Sequence, residues 1–405
     1  MALGGAFGRL WTAGTISGLG DGVTQIAGAL LAVSLTRDPI SVSGVMVAQL
    51  LPWLLFGLPG GVLVDRLDRR RLMIAACVVR VAALAPLGLA VAADRASLPL
   101  LYGVFFLVGC AGLLFDGASA TAVPALVAPE RLEQANGRLQ ATKVVCEQLV
   151  SRPLGGGLFV LAAWAPFVVD AGALLSVIAL VLTLPALDRT SDTAARPVGL
   201  RTAIADGARW LRDHRLLRTV TLTVGLSNVG LGSVFSVMVL VAHERLGLGA
   251  VGYGLLLATA AVGGVAGGML TGRIVAALGP GTTLRLGLLL EMAAYAGLAS
   301  TRDVLVAVLI LLPFTAHLAV FSAVGASLRQ TLVPADLLGR VHAAYRLVGT
   351  AGMFLGAVLG GLLAERFGLA APFWLGLGCA AVFTTGAWRR LNDRDIRAAR
   401  EGVGG

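Results

Sequence analysis

The stretch GVLVDRLDRRR, residues 61–71, separates two long apolar segments by one short and strongly charged turn. Apolar residues fill positions 42–64 before the turn and 72–93 after it. Each segment has the roughly 20 residues that a helix needs to cross a bilayer core of about 30 Å. The stretch therefore predicts a tight loop between two membrane-spanning helices.

The composition of the whole chain favours a membrane protein. Of the 405 residues, 57% are hydrophobic and only 13% are charged, and Lys143 is the one lysine, whereas a soluble domain carries about 25% charged residues. This composition excludes a soluble enzyme and a disordered chain. The four cysteines form no CxxC pair and the four histidines show no metal-ligand spacing, so no metal site is expected.

Twelve segments have the length and apolar character of a membrane span, with boundaries that are uncertain by a few residues. Lipid cannot satisfy unpaired backbone groups, and the alternation of barrel strands is missing, so the segments are predicted to be helices. The segments are residues 10–35, 42–64, 72–93, 98–127, 138–164, 166–187, 216–242, 250–278, 284–301, 303–328, 341–364 and 370–389.

The distribution of basic residues predicts the orientation in the membrane. An even number of spans puts both termini on one side, and 25 of the 32 Lys and Arg residues fall on that side, against five in the opposite loops. Loops rich in Lys and Arg stay in the cytoplasm. We therefore expect both termini to be cytoplasmic, in a bacterial cytoplasmic membrane. The same asymmetry accounts for the net charge of +10, so no nucleic-acid partner is expected.

A long polar stretch after the sixth span divides the chain into two halves. We predict an N-terminal six-helix bundle (1–187), a cytoplasmic linker with an amphipathic helix (188–215), a C-terminal six-helix bundle (216–391) and a cytoplasmic tail (392–405). A fully solvated charged linker is the alternative for the second region. The halves repeat at an offset of about 206 residues, as GGVLVDR at 60–66 and GGMLTGR at 267–273 illustrate. A parallel repeat of this kind predicts a transporter with a cavity between the bundles.

The loop after the second span resembles the cytoplasmic loop signature of the major facilitator superfamily. The resemblance implies a fold of twelve transmembrane helices and a latch at the cytoplasmic face. Asp68 stands where the family prefers Gly, and a purely topogenic positive cluster is the alternative reading. The residues expected to form this cytoplasmic gate are Gly61, Asp65, Arg66, Arg69 and Arg70.

Two further stretches resemble parts of the same superfamily. SRPLGGG at 151–157 is similar to a motif of antiporters, and it predicts a helix bend at Pro153, Gly156 and Gly157, with a merely packed Gly-rich helix as the alternative. VPADLLGRVHAAYR at 333–346 resembles the branch of enterobactin exporters and macrolide efflux proteins. That resemblance implies export of a small organic molecule.

Placing an ionisable side chain inside a membrane span costs free energy, so each such residue is a candidate for a functional role. The predicted spans contain four carboxylates but only two arginines. At least two acids therefore lack a cationic partner inside the membrane and would take up a proton instead. Asp21, near mid-depth in the first span, is the first choice of proton carrier, followed by Glu147 and Glu291. Structural ion pairing is the alternative, and His317 is expected to be a packed polar residue. The candidates for the substrate or proton pathway are Asp21, Gln25, Arg80, Asp116, Glu147, Arg152, Asn228 and Glu291.

These observations predict a secondary active transporter that exports a hydrophobic small molecule, such as a drug, siderophore or secondary metabolite, by proton antiport with alternating access. The chain lacks a Walker motif. We expect no enzyme activity and no cofactor, with the proton gradient as energy source and the substrate, protons and lipid as the partners of a monomer. An importer or facilitator on the same fold is the alternative, followed by a membrane enzyme or scaffold.

Overall fold

The computed structural model describes residues 4–185, 209–334, 337–388, 391 and 393, and the regular structure in these ranges is helical. A π-helical segment, Val144–Val150, joins α5 to α6, and a second one, Val241–Arg245, extends α8. The helices are α1 (Gly5–Leu35), α2 (Pro39–Arg66), α3 (Arg69–Ala92), α4 (Leu98–Leu126), α5 (Leu132–Lys143), α6 (Ser151–Leu161), α7 (Ala165–Leu182), α8 (Arg215–Leu240), α9 (Ala250–Leu278), α10 (Pro280–Ser300), α11 (Val304–Leu332), α12 (Leu338–Phe367) and α13 (Ala371–Ala387).

Ten helical stretches in the described ranges are long and apolar enough to cross a membrane. Two predicted spans are helical but fall outside that set. The segment 284–301 forms α10, which carries Arg285 and Glu291, and the segment 370–389 forms α13, which is shorter. The all-helical membrane fold is therefore confirmed.

The charged turn after α2 is built by a helix cap. Asp68 precedes α3, and its carboxylate accepts a hydrogen bond from the Arg71 amide at 2.7 Å. This bond satisfies one of the amides that a helix leaves unpaired at its first turn. The departure from the family's Gly at this position thus has a structural role.

The chain forms two compact units. Unit 1 comprises Met1–Arg37, Gly44–Arg196 and Gly247–Ala258, and unit 2 comprises Asp38–Ser43, Pro197–Leu246 and Thr259–Gly405. Apolar side chains are well exposed on the helices, for example Leu161 and Met269 at 81%. Such exposure is unusual in soluble proteins but is what a hydrocarbon solvent allows.

Most of the predicted linker and tail lies outside the described residues, which leave out 186–208 and 394–405. At the end of the linker, Trp210 packs against the apolar core of unit 2 and stacks on His214, with ring centroids 5.0 Å apart. At the start of the tail, Asp393 accepts hydrogen bonds from the Gly281 and Thr282 amides at the beginning of α10. Both segments are thus tied to unit 2 where they are described.

Candidate functional site

A buried ion cluster lies among three helices of unit 1. Arg80 of α3 is 1% exposed, and its Nη2 donates a short hydrogen bond to Oδ1 of Asp21 on α1. The same nitrogen lies 3.7 Å from Oδ2 of Asp170 on α7, while Nη1 donates to the Ser17 hydroxyl at 2.8 Å. Arg80 therefore lies beside two acids from two different helices.

Asp170 is the site residue that sequence reasoning missed. It is 1% exposed, and its Oδ2 accepts a hydrogen bond from the Thr24 hydroxyl at 2.7 Å. The signal was present, because Asp170 is the one acid in the otherwise apolar segment APFVVDAGALL at 165–175. The earlier count of four membrane carboxylates was therefore too low.

Glycine on α1 makes room for the Asp170 carboxylate. A Cβ at Gly20 would lie 1.9 Å from Oδ1 of Asp170, so no larger residue fits there without displacing the acid. Ser17, Gly20, Asp21 and Thr24 follow one another at spacings of three, one and three residues, which places them on one side of the helix. The local sequence SGLGDGVT, residues 17–24, thus forms one wall of the cluster.

The two acids differ in their access to the surroundings. The Asp170 side chain is buried, whereas the Asp21 side chain is 37% exposed. Gln25, one turn further along α1, is exposed as well. The cluster therefore contains one partly exposed acid, Asp21, and one buried acid, Asp170.

Formal charges in the cluster do not cancel when every group is ionised. The guanidinium of Arg80 contributes one positive charge, and Asp21 and Asp170 contribute two negative charges. An uncompensated charge is costly away from water. The cluster is therefore suited to bind one more positive charge, as a proton or on a ligand.

The acids predicted in the fourth and fifth spans meet at a lysine. Lys143 Nζ lies 3.3 Å from Oδ2 of Asp116 and 3.8 Å from Oε2 of Glu147. The side chains of Lys143 and Asp116 are about half exposed. Lys143 thus supplies a nearby positive charge for both acids. Exposed ion pairs of this kind contribute little to stability.

Arg152 binds a carbonyl rather than an acid. Its Nη1 donates to the Leu257 carbonyl at 3.0 Å, and no carboxylate of the described residues lies within ion-pair distance of it. A Cβ at Gly156 would lie 2.5 Å from the Ala250 carbonyl oxygen, and one at Gly254 would lie 2.5 Å from the Arg152 carbonyl oxygen. Within unit 1, α6 and the first turns of α9 therefore cross at van der Waals distance.

The predicted bend lies next to an irregular helix. Pro153 is in the first turn of α6, where its missing amide removes no bond of an α-helical ladder. The π-helical segment ends just before, at Val150, and π-bulges are a recognised cause of kinks. Gly157 faces open space, since a Cβ there would meet no atom within 4 Å.

The residues of the predicted gate are described only in part. The side chains of Asp65 and Arg66 lie outside the described residues, and a Cβ at Gly61 would meet no atom within 4 Å. Arg69 begins α3, and Arg70 Nη2 donates to the Leu182 carbonyl at the end of α7. An arginine is favourable there because the C-terminal end of a helix carries partial negative charge.

Unit 2 contains a second buried acid. Glu291 of α10 is 2% exposed, its Oε1 accepts a hydrogen bond from Ser227 at 2.6 Å, and its Oε2 lies 3.5 Å from Nε2 of His317. His317, which was expected to be a packed polar residue, is buried and packs against Phe321, with its Nε2 facing the Glu291 carboxylate. Asn228, the repeat equivalent of Asp21, donates to the Gly349 carbonyl at 3.1 Å.

Among the residues that the structure describes, no group of three or more His, Cys, Asp or Glu side chains is arranged to hold a metal ion.

A family model described as transmembrane secretion effector matches residues 4–394. The chain belongs to this family of the major facilitator superfamily. This confirms the resemblance inferred from the loop after α2 and from the stretch at 333–346. The family is one of membrane transporters, not of enzymes.

The sequence relatives include transporters of three bacterial groups. The enterobactin exporter EntS of Salmonella typhimurium is 28% identical over 80% of this chain and 77% of its own length, and the MFS-type transporter YfiS of Bacillus subtilis is 27% identical over 91% and 88%. The MFS-type transporter Rv0037c of Mycobacterium tuberculosis is 30% identical over 58% of this chain. The match spans 57% of the length of that mycobacterial protein.

Solved transporters share the fold at low sequence identity. The nucleoside transporter NupG (D323A mutant) superposes with a TM-score of 0.78 at 10% identity, covering 95% of this chain and 99% of NupG. A bacterial homologue of the iron transporter ferroportin, in an inward-facing state, superposes with a TM-score of 0.73 at 17% identity, covering 97% of this chain and all of that protein. These likenesses show that the chain shares the fold of these proteins.

Proposed function

We propose that this transporter exports a hydrophobic small organic molecule across the bacterial cytoplasmic membrane by proton antiport with alternating access. The observation that carries the proposal is the Arg80 cluster, in which one buried arginine faces two acids and only Asp21 is reachable. Its excess negative charge can be neutralised by a proton in one stage of the cycle and exposed to water in another.

The proton and the substrate compete for the same charge in this mechanism. When Asp21 releases its proton, Arg80 keeps one carboxylate paired and the other becomes available to a cationic or polar group of the substrate. When a proton returns, that attraction is lost and the substrate leaves. No cofactor is needed, because the proton gradient supplies the free energy.

Export is supported by the family and by the name of one group of relatives, the enterobactin exporters. The basic loops support an orientation with both termini in the cytoplasm. We propose a monomer with a small-molecule substrate, protons and lipid as partners. The apolar helices favour a lipophilic substrate.

The test is efflux of a panel of antibiotics, dyes and siderophores from cells that express the protein, with and without a proton uncoupler. We expect at least one compound to be exported and its export to stop with the uncoupler. For that compound, Asp21→Asn should abolish substrate-driven proton movement in proteoliposomes, whereas Asp94→Asn, at an exposed loop position, should leave it unchanged. Uptake instead of efflux would favour the importer, and efflux that ignores the uncoupler would refute antiport.

A further inference from the structure

Glu291 and His317 form an isolated acid–base pair inside unit 2. Both side chains are at least 96% enclosed, with Nε2 of His317 3.5 Å from Oε2 of Glu291. Among the described residues, His317 is the ion-pair partner that the structure gives to Glu291. This pair differs from the Arg80 cluster, because an imidazole can lose its charge and a guanidinium cannot.

The helices around the pair are shaped to hold the imidazole. A Cβ at Gly287, one turn before Glu291 on α10, would lie 2.2 Å from Nδ1 of His317. The ring of Phe321 packs edge-on against the same imidazole at 5.9 Å between centroids. The ring is therefore held in a slot between α10 and α11 that only glycine leaves open.

One polar atom beside the acid, Nε2 of His317, has no hydrogen-bond partner among the described residues, although it lies 3.5 Å from Oε2 of Glu291. Buried groups of this kind are rare in native proteins and call for a functional reason. Neighbouring donors and acceptors that are not locked to each other leave room for a proton to change position.

Charge counting defines what the pair can bind. The other titratable groups that face Glu291 are Tyr295 on its own helix and Cys379 on α13, and neither is a cation. With no proton on either member, the pair would carry a full negative charge in a closed apolar site. With one proton the pair is neutral, whichever member holds it. A single proton on the pair therefore removes the net charge from this buried site.

We infer that the Glu291–His317 pair is a second proton site, so that each transport cycle carries one proton in unit 2 in addition to the proton at the Arg80 cluster. The inference rests on the proposed proton antiport for its role in the cycle. Proton binding by the pair is independent of transport and is tested separately.

The first experiment measures proton binding on the full-length protein in lipid nanodiscs, without any substrate. Infrared difference spectra between two bulk pH values report the carboxylic-acid carbonyl band and the imidazole ring bands. We expect Glu291→Gln to remove the carboxyl bands of the pair, which belong to a carboxylic acid or to a carboxylate according to the position of the proton, and to change the imidazole bands, and we expect His317→Asn to remove the imidazole bands. Ser227→Ala is the matched control, since it takes away a donor to Glu291 but no titratable group, and both sets of bands should persist.

Difference spectra of Glu291→Gln that equal those of the wild type would overturn the inference, because the acid would then not titrate. Elution of each variant at the wild-type volume in size-exclusion chromatography shows that it is folded. If Glu291→Gln does not fold, His317→Asn alone decides, and an unchanged carboxylic-acid signal in that variant overturns the coupling of the two groups.

The second experiment counts protons per molecule of the compound identified in the efflux panel. In proteoliposomes the wild type should move two protons per substrate, and Glu291→Gln should move one. An unchanged ratio overturns the second site even if efflux remains sensitive to the uncoupler, so the two proposals fail separately. If no compound is exported, the infrared experiment still tests the proton site.

Discussion

Arg80 keeps a full positive charge at 1% exposure, and this is possible only because acids from two other helices surround it. Burying an ion costs several kcal/mol even after the protein relaxes. The hydrogen bonds of the Arg80 guanidinium to Asp21 and Ser17, together with its ion pair with Asp170, offset that free-energy cost. The same contacts make the two acids dependent on the arginine.

Arg80→Gln should destabilise the protein by about 3–5 kcal/mol, because it leaves the buried Asp170 and the partly exposed Asp21 without a cation. Unfolding of the purified protein in detergent measures the change. Adding Asp170→Asn should recover part of the loss, since the double variant encloses one acid fewer. Arg37→Gln, at an exposed position between α1 and α2, is the control for loss of an arginine. A double variant no more stable than Arg80→Gln would contradict the dependence.

At the level of single elements, the fifth predicted span is the least regular. It is divided into α5, a π-helical segment and α6. The sequence motif predicted the same role for Gly156 and Gly157, but the two glycines have different surroundings in the structure. Gly156 touches the backbone of the segment that begins α9, while Gly157 faces open space.

Gly156→Ala should therefore lower stability by about 1–3 kcal/mol through overpacking against the Ala250 carbonyl. Gly157→Ala is its matched control and should be neutral, or stabilising by up to about 1 kcal/mol, because alanine favours a helix. The two variants are compared by thermal unfolding in detergent and by efflux of the compound found in the panel. Equal losses in both variants would show that the motif acts through helix flexibility and not through close contact.

Asp38 precedes α2 and accepts hydrogen bonds from its first turn, so its contribution to stability depends on pH. Partial burial raises the pKa of Asp38, but hydrogen bonds from the Ser41 hydroxyl and amide and from the Ile40 amide lower it further, so the net pKa lies below its ordinary value of 3.8. A lowered folded-state pKa means that the cap stabilises fully above pH 3.8 and that this contribution is lost as the pH falls through the folded value.

We expect the difference in Tm between wild type and Asp38→Asn to shrink as the pH falls from about 5 to about 3. The size is small because Asp38 lies largely in solvent. Asp68→Asn, at the cap of α3, is compared in parallel as a second capping acid. A difference that is constant with pH would mean that the charge of Asp38 does not contribute.

On the scale of the whole molecule, the basic residues of the loops predict the orientation in the membrane. The turn between α2 and α3 and the loop between α3 and α4 lie at opposite ends of α3, so the basic loops predict that only the second faces outward. Arg95 and Leu67 are exposed positions in these two connections.

In a variant without the four native cysteines, Arg95→Cys should react with a membrane-impermeant maleimide added to intact cells, and Leu67→Cys should react only after the membrane is opened. Labelling is read by gel shift. Labelling of Leu67→Cys in intact cells would contradict the predicted orientation and would place the turn between α2 and α3, with Arg70, on the outer face.

The amino-acid sequence alone was enough for the helical membrane fold and the family, and it assigned Asp21, Arg80 and Glu291 to segments that the structure shows as helices. These features depend on local hydropathy, on spacing and on short motifs, and hydrocarbon permits few alternatives to a helix. The predicted domain boundaries and the proton coupling stay predictions.

Only the tertiary structure decided which charges meet. Asp170 lies beside Arg80 although the two are 90 positions apart, because α7 packs on both α1 and α3 and Gly20 leaves space for the carboxylate. His317 reaches Glu291 for the same reason at Gly287. Hydropathy reports how deep a residue lies along its own helix but not the direction in which it points around that helix. Pairing in the membrane depends on that direction, and packing between helices sets it.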